Sequence, residues 1–306
     1  MLHLATGITV GCVLFALIAG PGQAQELEPQ RWRHLPIDTN FVNIAYIHND
    51  SDISFDPALR IEDATMSLDT WALGYSRTFE LFDKTAQVQI IQPWQSGDWS
   101  GTVNGQPAAI SREGLADTQL RFAIDLIGAP PMKVKEYAAY QATPEPKTIL
   151  GVALGIQLPT GEYFDDKLIN LGTNVYTFRP EIGFVHERDR WSFETSGSVS
   201  ISTDNDDFFN GNRLEQDPLY FIQTNVLYRF TPGIWAAGGV AYASGAETTV
   251  NGISNDDTKE NILWGLAAGY AITPWLGVKV QYVKSDRQVD FGNDSDRYIL
   301  SLSTFW

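Results

Sequence analysis

The sequence predicts an all-β protein, a transmembrane antiparallel up-and-down β-barrel of about 12 strands. Three observations lead there: long stretches in which apolar and polar residues alternate, a rhythm of short and long polar connections between them, and an aromatic residue closing the last alternating stretch.

The first segment is not part of that pattern. Ile8 to Ala19 is a continuous apolar run, followed by Gly20-Pro21-Gly22 and Gln23-Ala24, with small residues at positions 22 and 24. This is expected to be a secretory signal peptide, residues 1–24, cleaved after Ala24. Its leading portion carries only the amino terminus and His3, so a membrane anchor is the alternative, but a run of about 12 apolar residues is short for a bilayer. Cys12 follows Gly11, yet Thr9 is wrong for a lipoprotein motif and most of the run lies after the cysteine, so Cys12 reads as a small apolar residue of the signal. Residues 25–38 are then expected to be a periplasmic N-terminal segment and 39–306 the barrel.

Within the barrel region, Thr118, Leu120, Phe122, Ile124 and Leu126 share one face, opposite Gln119, Arg121 and Asp125. A period of two marks a strand with one apolar and one polar side. It returns in Tyr176–Phe184 against Arg179 and Glu181, in Tyr220–Phe230 against Gln223 and Asn225, and in Leu276–Tyr282 against Lys279 and Gln281. The whole chain yields strands near 39–48, 67–78, 86–96, 116–127, 148–158, 174–185, 191–203, 219–230, 234–245, 260–271, 276–286 and 296–306. At about 10–13 residues they exceed the usual strand of about 5–6 and suit a tilted bilayer crossing of about 9–11. Thr231-Pro232-Gly233 and Thr273-Pro274-Trp275 are tight turns, whereas 204–218 and 247–259 are long polar loops. Outer-membrane barrels alternate short periplasmic turns with long external loops in this way. Gly128 to Lys147 is the exception, a long connection on the turn side, with Val134–Tyr140 expected as a short periplasmic helix.

Tyr298, Leu300, Leu302, Thr304 and Trp306 alternate to the end of the chain. This resembles the signal read by the barrel-assembly machinery, which is therefore an expected partner, together with outer-membrane lipid and lipopolysaccharide. Aromatics such as Trp71, Tyr75, Trp94, Trp191, Trp264 and Tyr282 fall near strand ends, where interfacial girdles sit.

Composition agrees once the alternation is seen. The 306 residues carry a formal charge of −16, with 43% apolar and 12% aromatic residues and one cysteine. That is too apolar for a disordered chain, too acidic for a general nucleic-acid binder, and too poor in cysteine for a disulfide framework or thiolate zinc cluster. Mean hydropathy of −0.16 excludes a helical membrane bundle, but outward apolar and inward polar residues cancel in a barrel.

The stretch Gln157-Leu158-Pro159-Thr160-Gly161-Glu162-Tyr163, followed by Leu171-Gly172-Thr173-Asn174 and Tyr176-Thr177-Phe178-Arg179-Pro180, resembles the signature of the outer-membrane family labelled with the meta pathway of phenol degradation. In that family a strand ending in Leu-Pro-Thr-Gly leads through a loop to Leu-Gly-Thr-Gly and a strand with a mid-strand proline. Asn174 stands where the second motif has its last glycine, a departure softened by the tolerance of Asn for φ > 0. The strand rhythm extends the resemblance over most of the chain, while the motif itself occupies residues 157–180. It implies the barrel fold and a channel or uptake role in aromatic catabolism.

Arg77, Arg121, Asp125, Arg179, Glu181, Glu194, Arg229 and Lys279 are the candidates to line the lumen. They could form the transverse field of a selective pore, or salt bridges that fill the barrel and brace its wall. The acidic loops contain Asp50, Asp52, Asp56, Glu62 and Asp63, then Asp165 and Asp166, then Asp204, Asp206, Asp207, Glu215 and Asp217. Phe208 and Phe209 break calcium-loop spacing there, so solvated loops are expected rather than a metal site, and the two rings are constriction candidates. No cofactor is expected. For hydrolysis a base is needed beside the nucleophile, and His34, His48 and His186 lack a serine motif. No catalytic residue is therefore assigned, with an outer-membrane lipid hydrolase using His48 at the rim as the remote alternative. The reading is a channel for passive diffusion of small, aromatic or apolar solutes; the alternative is a non-transporting barrel whose acidic loops bind a partner.

Overall fold

The computed structural model describes residues 27–54, 61–103, 105–290 and 292–306; the expected signal peptide, with Cys12, and Asp56 lie outside the described residues. Alternation becomes strand throughout. In chain order come β1 (Thr39–Ser54), β2 (Ile61–Leu81), β3 (Lys84–Val103), β4 (Gln106–Leu115), β5 (Gln119–Ile127), the helix α1 (Val134–Gln141), β6 (Lys147–Gln157), β7 (Thr177–Arg188) and β8 (Trp191–Ser202). After them come β9 (Asn205–Phe208), β10 (Asn212–Gln216), β11 (Leu219–Thr231), β12 (Ile234–Gly245), β13 (Thr248–Val250), β14 (Ile253–Ser254), β15 (Lys259–Ala271), β16 (Leu276–Arg287) and β17 (Gly292–Phe305).

Twelve antiparallel staves close into a barrel. β1 completes the ring by pairing with β17 on one side and β2 on the other, so that Ile44 lies between Leu302 and Leu73. One stave is made of two pieces: β3 pairs with β4 through Trp94–Val103 and with β5 through Ala86–Ile91, and Ala116-Asp117-Thr118 lies between the pieces. The β3–β4 hairpin thus extends well beyond the predicted strand 86–96. The pairing outlasts the alternation: Gln106, Pro107, Ala108 and Ala109 are all exposed, and the ladder supplies backbone hydrogen bonds wherever it continues.

The period of two sorts the faces. Ile44, Leu73, Ile90, Phe122, Ile182, Ile222, Leu266, Val280 and Leu300 are all exposed and form an apolar outer band, the surface a lipid bilayer covers. Residues of the opposite parity point inward: Asn43, Ser76, Gln89, Glu181, Glu194, Gln223, Lys279 and Ser301 are buried. The β2–β3 turn is only Phe82-Asp83, both at positive φ (51° and 57°), the geometry that fits strand twist in a two-residue hairpin. Short turns face the periplasm in this class of barrel. α1 lies at that end, as the sequence suggests. At the other end the expected plain loops 204–218 and 247–259 are more ordered than predicted: β9, β10, β13 and β14 join into a small sheet. Strands this short carry too few residues for a periodic signal, and pairing across two loops supplies the rest.

Residues 27–37, expected to lie in the periplasm, are instead inside the barrel. Leu27 packs with Leu219, Phe221, Ala241, Leu263 and Val283, and Trp32 with Ala123, Ile149, Ala153 and Val185. The wall is built to receive them. A Cβ at Gly183 would overlap the indole of Trp32, and Gly151 is nearly as close, so both positions need glycine for close approach rather than for backbone conformation.

Candidate functional site

The inserted segment forms no ladder with the wall. Its backbone is caught by inward side chains: Glu28 N–H donates to Gln223 Oε1 (2.8 Å), Gln30 N–H to Glu194 Oε2 (2.7 Å), and Gln281 Nε2 donates to the Leu27 carbonyl (2.6 Å). The Glu28 carbonyl accepts from Asn225 Nδ2 at 3.2 Å. Buried backbone groups must find such partners, and here three different staves, β8, β11 and β16, supply them.

Arg31 carries the strongest attachment. Its guanidinium bonds both carboxylate oxygens of Glu181, Nη2 to Oε1 at 2.6 Å and Nε to Oε2 at 3.2 Å, while Nη1 reaches Glu28 Oε2 at 3.0 Å. Arg121 Nε reaches Glu181 Oε2 at 3.2 Å, and its guanidinium lies 4.8 Å from the centre of the Trp32 ring. Glu181 therefore holds a wall arginine and an N-terminal arginine at once. Buried charges of this kind persist only when paired and hydrogen-bonded.

Lower down, His34 is buried beside α1. Its Nε2 lies 2.9 Å from the Pro130 carbonyl, its own carbonyl accepts from Tyr137 Oη at 3.0 Å, and its ring meets those of Tyr137 and Tyr140 edge-on. Burial pushes the His34 pKa from the ordinary 6.5 down to about 4, against the opposing pull of the Pro130 hydrogen bond. Ile37 N–H to the Met132 carbonyl (2.9 Å) and Thr78 Oγ1 to the Pro36 carbonyl (2.6 Å) fix the exit from the barrel.

Above the segment is a cavity of about 360 Å³ at the long-loop end. Through Gln157, Thr177 and Arg179 it shares walls with a space of about 40 Å³, and through Arg31 and Arg121 that space adjoins one of about 20 Å³. A single water needs about 10–15 Å³ on this measure, so the open space beside Arg31 and Trp32 is that of a few water molecules at most.

The loop between β6 and β7 builds the upper cavity, and it is the loop that carries the sequence motif. Asp117, in the break between β4 and β5, is its anchor: Oδ1 accepts from Gly161 N–H (2.8 Å), and Oδ2 from Thr173 N–H (2.9 Å), Thr173 Oγ1 (2.6 Å) and Gln157 Nε2 (2.9 Å). Gly161 and Gly172 meet backbone to backbone, leaving no room for a Cβ on either. Asn174 has φ 58°, the left-handed conformation for which the motif elsewhere uses glycine, and its side chain bonds Asn205 at 3.0 Å. Tyr163 Oη donates to the Asp207 carbonyl at 3.0 Å and ties the loop to β9.

The candidate residues distribute as follows. Arg121, Asp125, Arg179, Glu181, Glu194, Arg229 and Lys279 occupy inward positions. Arg229 is in an ion pair with Glu187 at 2.6 Å, and Arg179 donates from Nε to Ser200 Oγ at 3.2 Å. Arg77 is not in the lumen. It shares the parity of the exposed Trp71, Leu73 and Tyr75, stands exposed on the outer wall, and donates to Asn40 Oδ1 at 3.3 Å. Of the loop aromatics, Phe208 lines the upper cavity, whereas Phe209 sits at the β9–β10 tip. Arg213 joins Asp204, Asp206 and Glu215, so a cation already occupies the middle of that acidic group. His48 is engaged at both ring nitrogens by carboxylates, Asp69 at 2.8 Å and Asp50 at 3.1 Å. Residues 27–37 carry no periodic signal that would fix their place; Asp117 carries no motif signal, and neither does Lys259 in the cavity wall.

Comparison with known proteins places the fold. The structure is similar to the COG4313 outer membrane channel from Pseudomonas putida F1, with a TM-score of 0.77 and 23% identity over 92% of this chain and 100% of that one. The transport unit of the autotransporter AIDA-I from Escherichia coli gives a TM-score of 0.50 at 8% identity, covering 91% of this chain and 93% of the other. No curated protein matches the sequence. The protein is an outer-membrane barrel. The model of the family described as "Putative MetA-pathway of phenol degradation" matches residues 50–292, and the chain belongs to that family.

Proposed function

We propose that the protein is an uptake channel for small organic solutes, in its closed state, with residues 27–37 as the gate. The observation that carries this reading is the graded set of cavities: a chamber of about 360 Å³ at the outer end shares lining residues with a space of about 40 Å³, and that one with a space of about 20 Å³ beside Arg31 and Trp32. A chamber of that size falls within the range of small-molecule sites, about 300–1,000 Å³. A barrel with only a bracing role gains nothing by leaving it unfilled, since a well-packed interior is the more stable one.

The attachment of the gate supports its release. Separate side-chain contacts hold it, rather than a strand ladder: single bonds to its backbone, each worth about 1 kcal/mol net, the Arg31–Glu181 pair, and the packing of Leu27 and Trp32. Passage is by diffusion down a gradient, with the gate displaced and the barrel wall unchanged. The engagement of His48 by two carboxylates favours a place in the rim over a role as a base. The filled lumen around Trp32 also suits the second reading, a non-transporting barrel. Planar-bilayer conductance and solute-swelling assays on the refolded chain, with and without residues 27–33, separate the two. Flux that appears on deletion supports the channel, and its absence in both forms supports the closed barrel.

A further inference from the structure

The charges around the outer cavity run against the rest of the protein. The chain has a formal charge of −16, yet the cavity wall contains Arg179 and Lys259 and no aspartate or glutamate. Among the described residues, neither cation is in an ion pair. Arg179 spends one donor on Ser200 Oγ, at 3.2 Å. Each feels one carboxylate, Glu181 for Arg179 and Asp257 for Lys259, and both carboxylates have other partners. Glu181, on the same face of β7, is held by Arg31 and Arg121. Asp257, next but one to Lys259, accepts from Thr248 N–H at 2.6 Å and Thr248 Oγ1 at 2.9 Å.

Elsewhere in the interior, arginine is matched by acid, as with Arg229 and Glu187. Two inward cations with no ion-pair contact among the described residues, bordering a chamber whose lining carries no carboxylate, make a site for a ligand anion. The remainder of the wall describes the rest of that ligand. Leu168, Val175, Phe208, Leu214 and Leu219 give it an apolar side, while Ser200, Ser202 and Thr177 offer hydroxyls beside Arg179. Guanidinium presents paired donors that match a carboxylate, and lysine adds a second, mobile positive charge.

We infer that the outer cavity is a binding site for a small organic monocarboxylate with an apolar or aromatic body, its carboxylate held by Arg179 and Lys259 and its body against Phe208 and the adjoining leucines. This deepens the uptake reading by naming the solute class, and it rests on that reading for its place in transport. The binding itself needs no flux.

The test is equilibrium titration of the full chain, refolded in detergent, with benzoate and with its neutral analogue benzamide. Benzoate is expected to bind saturably and benzamide roughly tenfold more weakly or worse; Arg179→Gln and Lys259→Gln each weaken benzoate by roughly tenfold and leave benzamide unchanged. Arg190→Gln, in the periplasmic turn, serves as the control and binds as the parent does. Heat-modifiable gel mobility shows that each variant is folded, and either single variant suffices if the other fails to fold. Benzamide binding as tightly as benzoate, no benzoate binding to the folded parent, or parental affinity in both variants would overturn the assignment. Flux of neutral solutes through a barrel that does not bind benzoate sinks this inference alone. Benzoate binding without flux upholds the site and counts against the channel.

Discussion

Arg31 and Glu181, 150 positions apart in the chain, meet inside the barrel with 2.6 Å between Nη2 and Oε1. The contact joins the N-terminal segment to the wall beside the space of about 40 Å³, and Arg121 shares the same carboxylate through Oε2. Closure of the barrel and satisfaction of a buried charge cluster are thus one arrangement.

Removing the carboxylate should open that arrangement. Glu181→Gln takes the carboxylate from Arg121 and leaves Arg31 with Glu28 alone, and breaking a buried pair from one side costs about 3–5 kcal/mol. The expected result is an increase in conductance or in the frequency of openings, with the barrel still resistant to unfolding in detergent. Arg31→Gln should act in the same direction but more weakly, because Arg121 keeps its partner. Single-channel recording of both variants checks the order.

Trp32 can be displaced without touching the segment at all. A side chain at Gly183 would occupy the space of the indole, so Gly183→Leu should expel Trp32 from the wall and raise its solvent exposure. Quenching of tryptophan fluorescence by acrylamide, compared with Gly183→Leu in a Trp32→Phe background, reads this directly. Gly172→Ala makes a useful contrast: it collides with the backbone of Gly161 and should disturb the outer loop while leaving Trp32 quenching unchanged.

Acid should loosen the gate through His34. Its pKa is about 4 when the segment is docked, chiefly through burial, and near 6.5 when the segment is free. The free state therefore binds the proton first, so docking stability is complete above about pH 6.5 and declines as pH falls toward 4. The full difference amounts to about 3 kcal/mol, in a neighbourhood where Arg33 and Lys147 reinforce the shift and Glu187 opposes it. Conductance of the parent should rise across that window and that of His34→Gln should not.

Asp117 offers a prediction about the outer chamber. With Asp117→Ala the N–H groups of Gly161 and Thr173 lose their acceptor, at about 1–3 kcal/mol each where they remain buried. Limited proteolysis should cut the loop between β6 and β7 faster in the variant, and the barrel strands should stay protected.

The staves were legible because each face has its own solvent: alternation survives wherever lipid lies on one side and a polar lumen on the other. Arg77 shows where this reading fails. At the end of β2 the outer face leaves the apolar layer, so a charge there no longer marks the inside. The inward parity of Arg121 and Glu181 could be read from their strands, but their partner could not, because Arg31 lies in a segment with no period. The inserted segment left only indirect traces: glycines at inward positions 151 and 183, and apolar Leu27, Trp32 and Leu35 in a stretch otherwise rich in charge. Glycine records that something approaches closely without saying what. The cavity depends on several loops meeting, and Lys259 acquires its role from Arg179, a residue 80 positions earlier in sequence.

Single-channel conductance of the refolded chain, measured beside that of a chain beginning at His34, tests the gate most directly. The complete chain should be closed or rarely open, and the shortened chain should show a steady, larger conductance at every voltage that leaves the barrel intact. Equal conductance in the two, whether both open or both closed, would contradict the account.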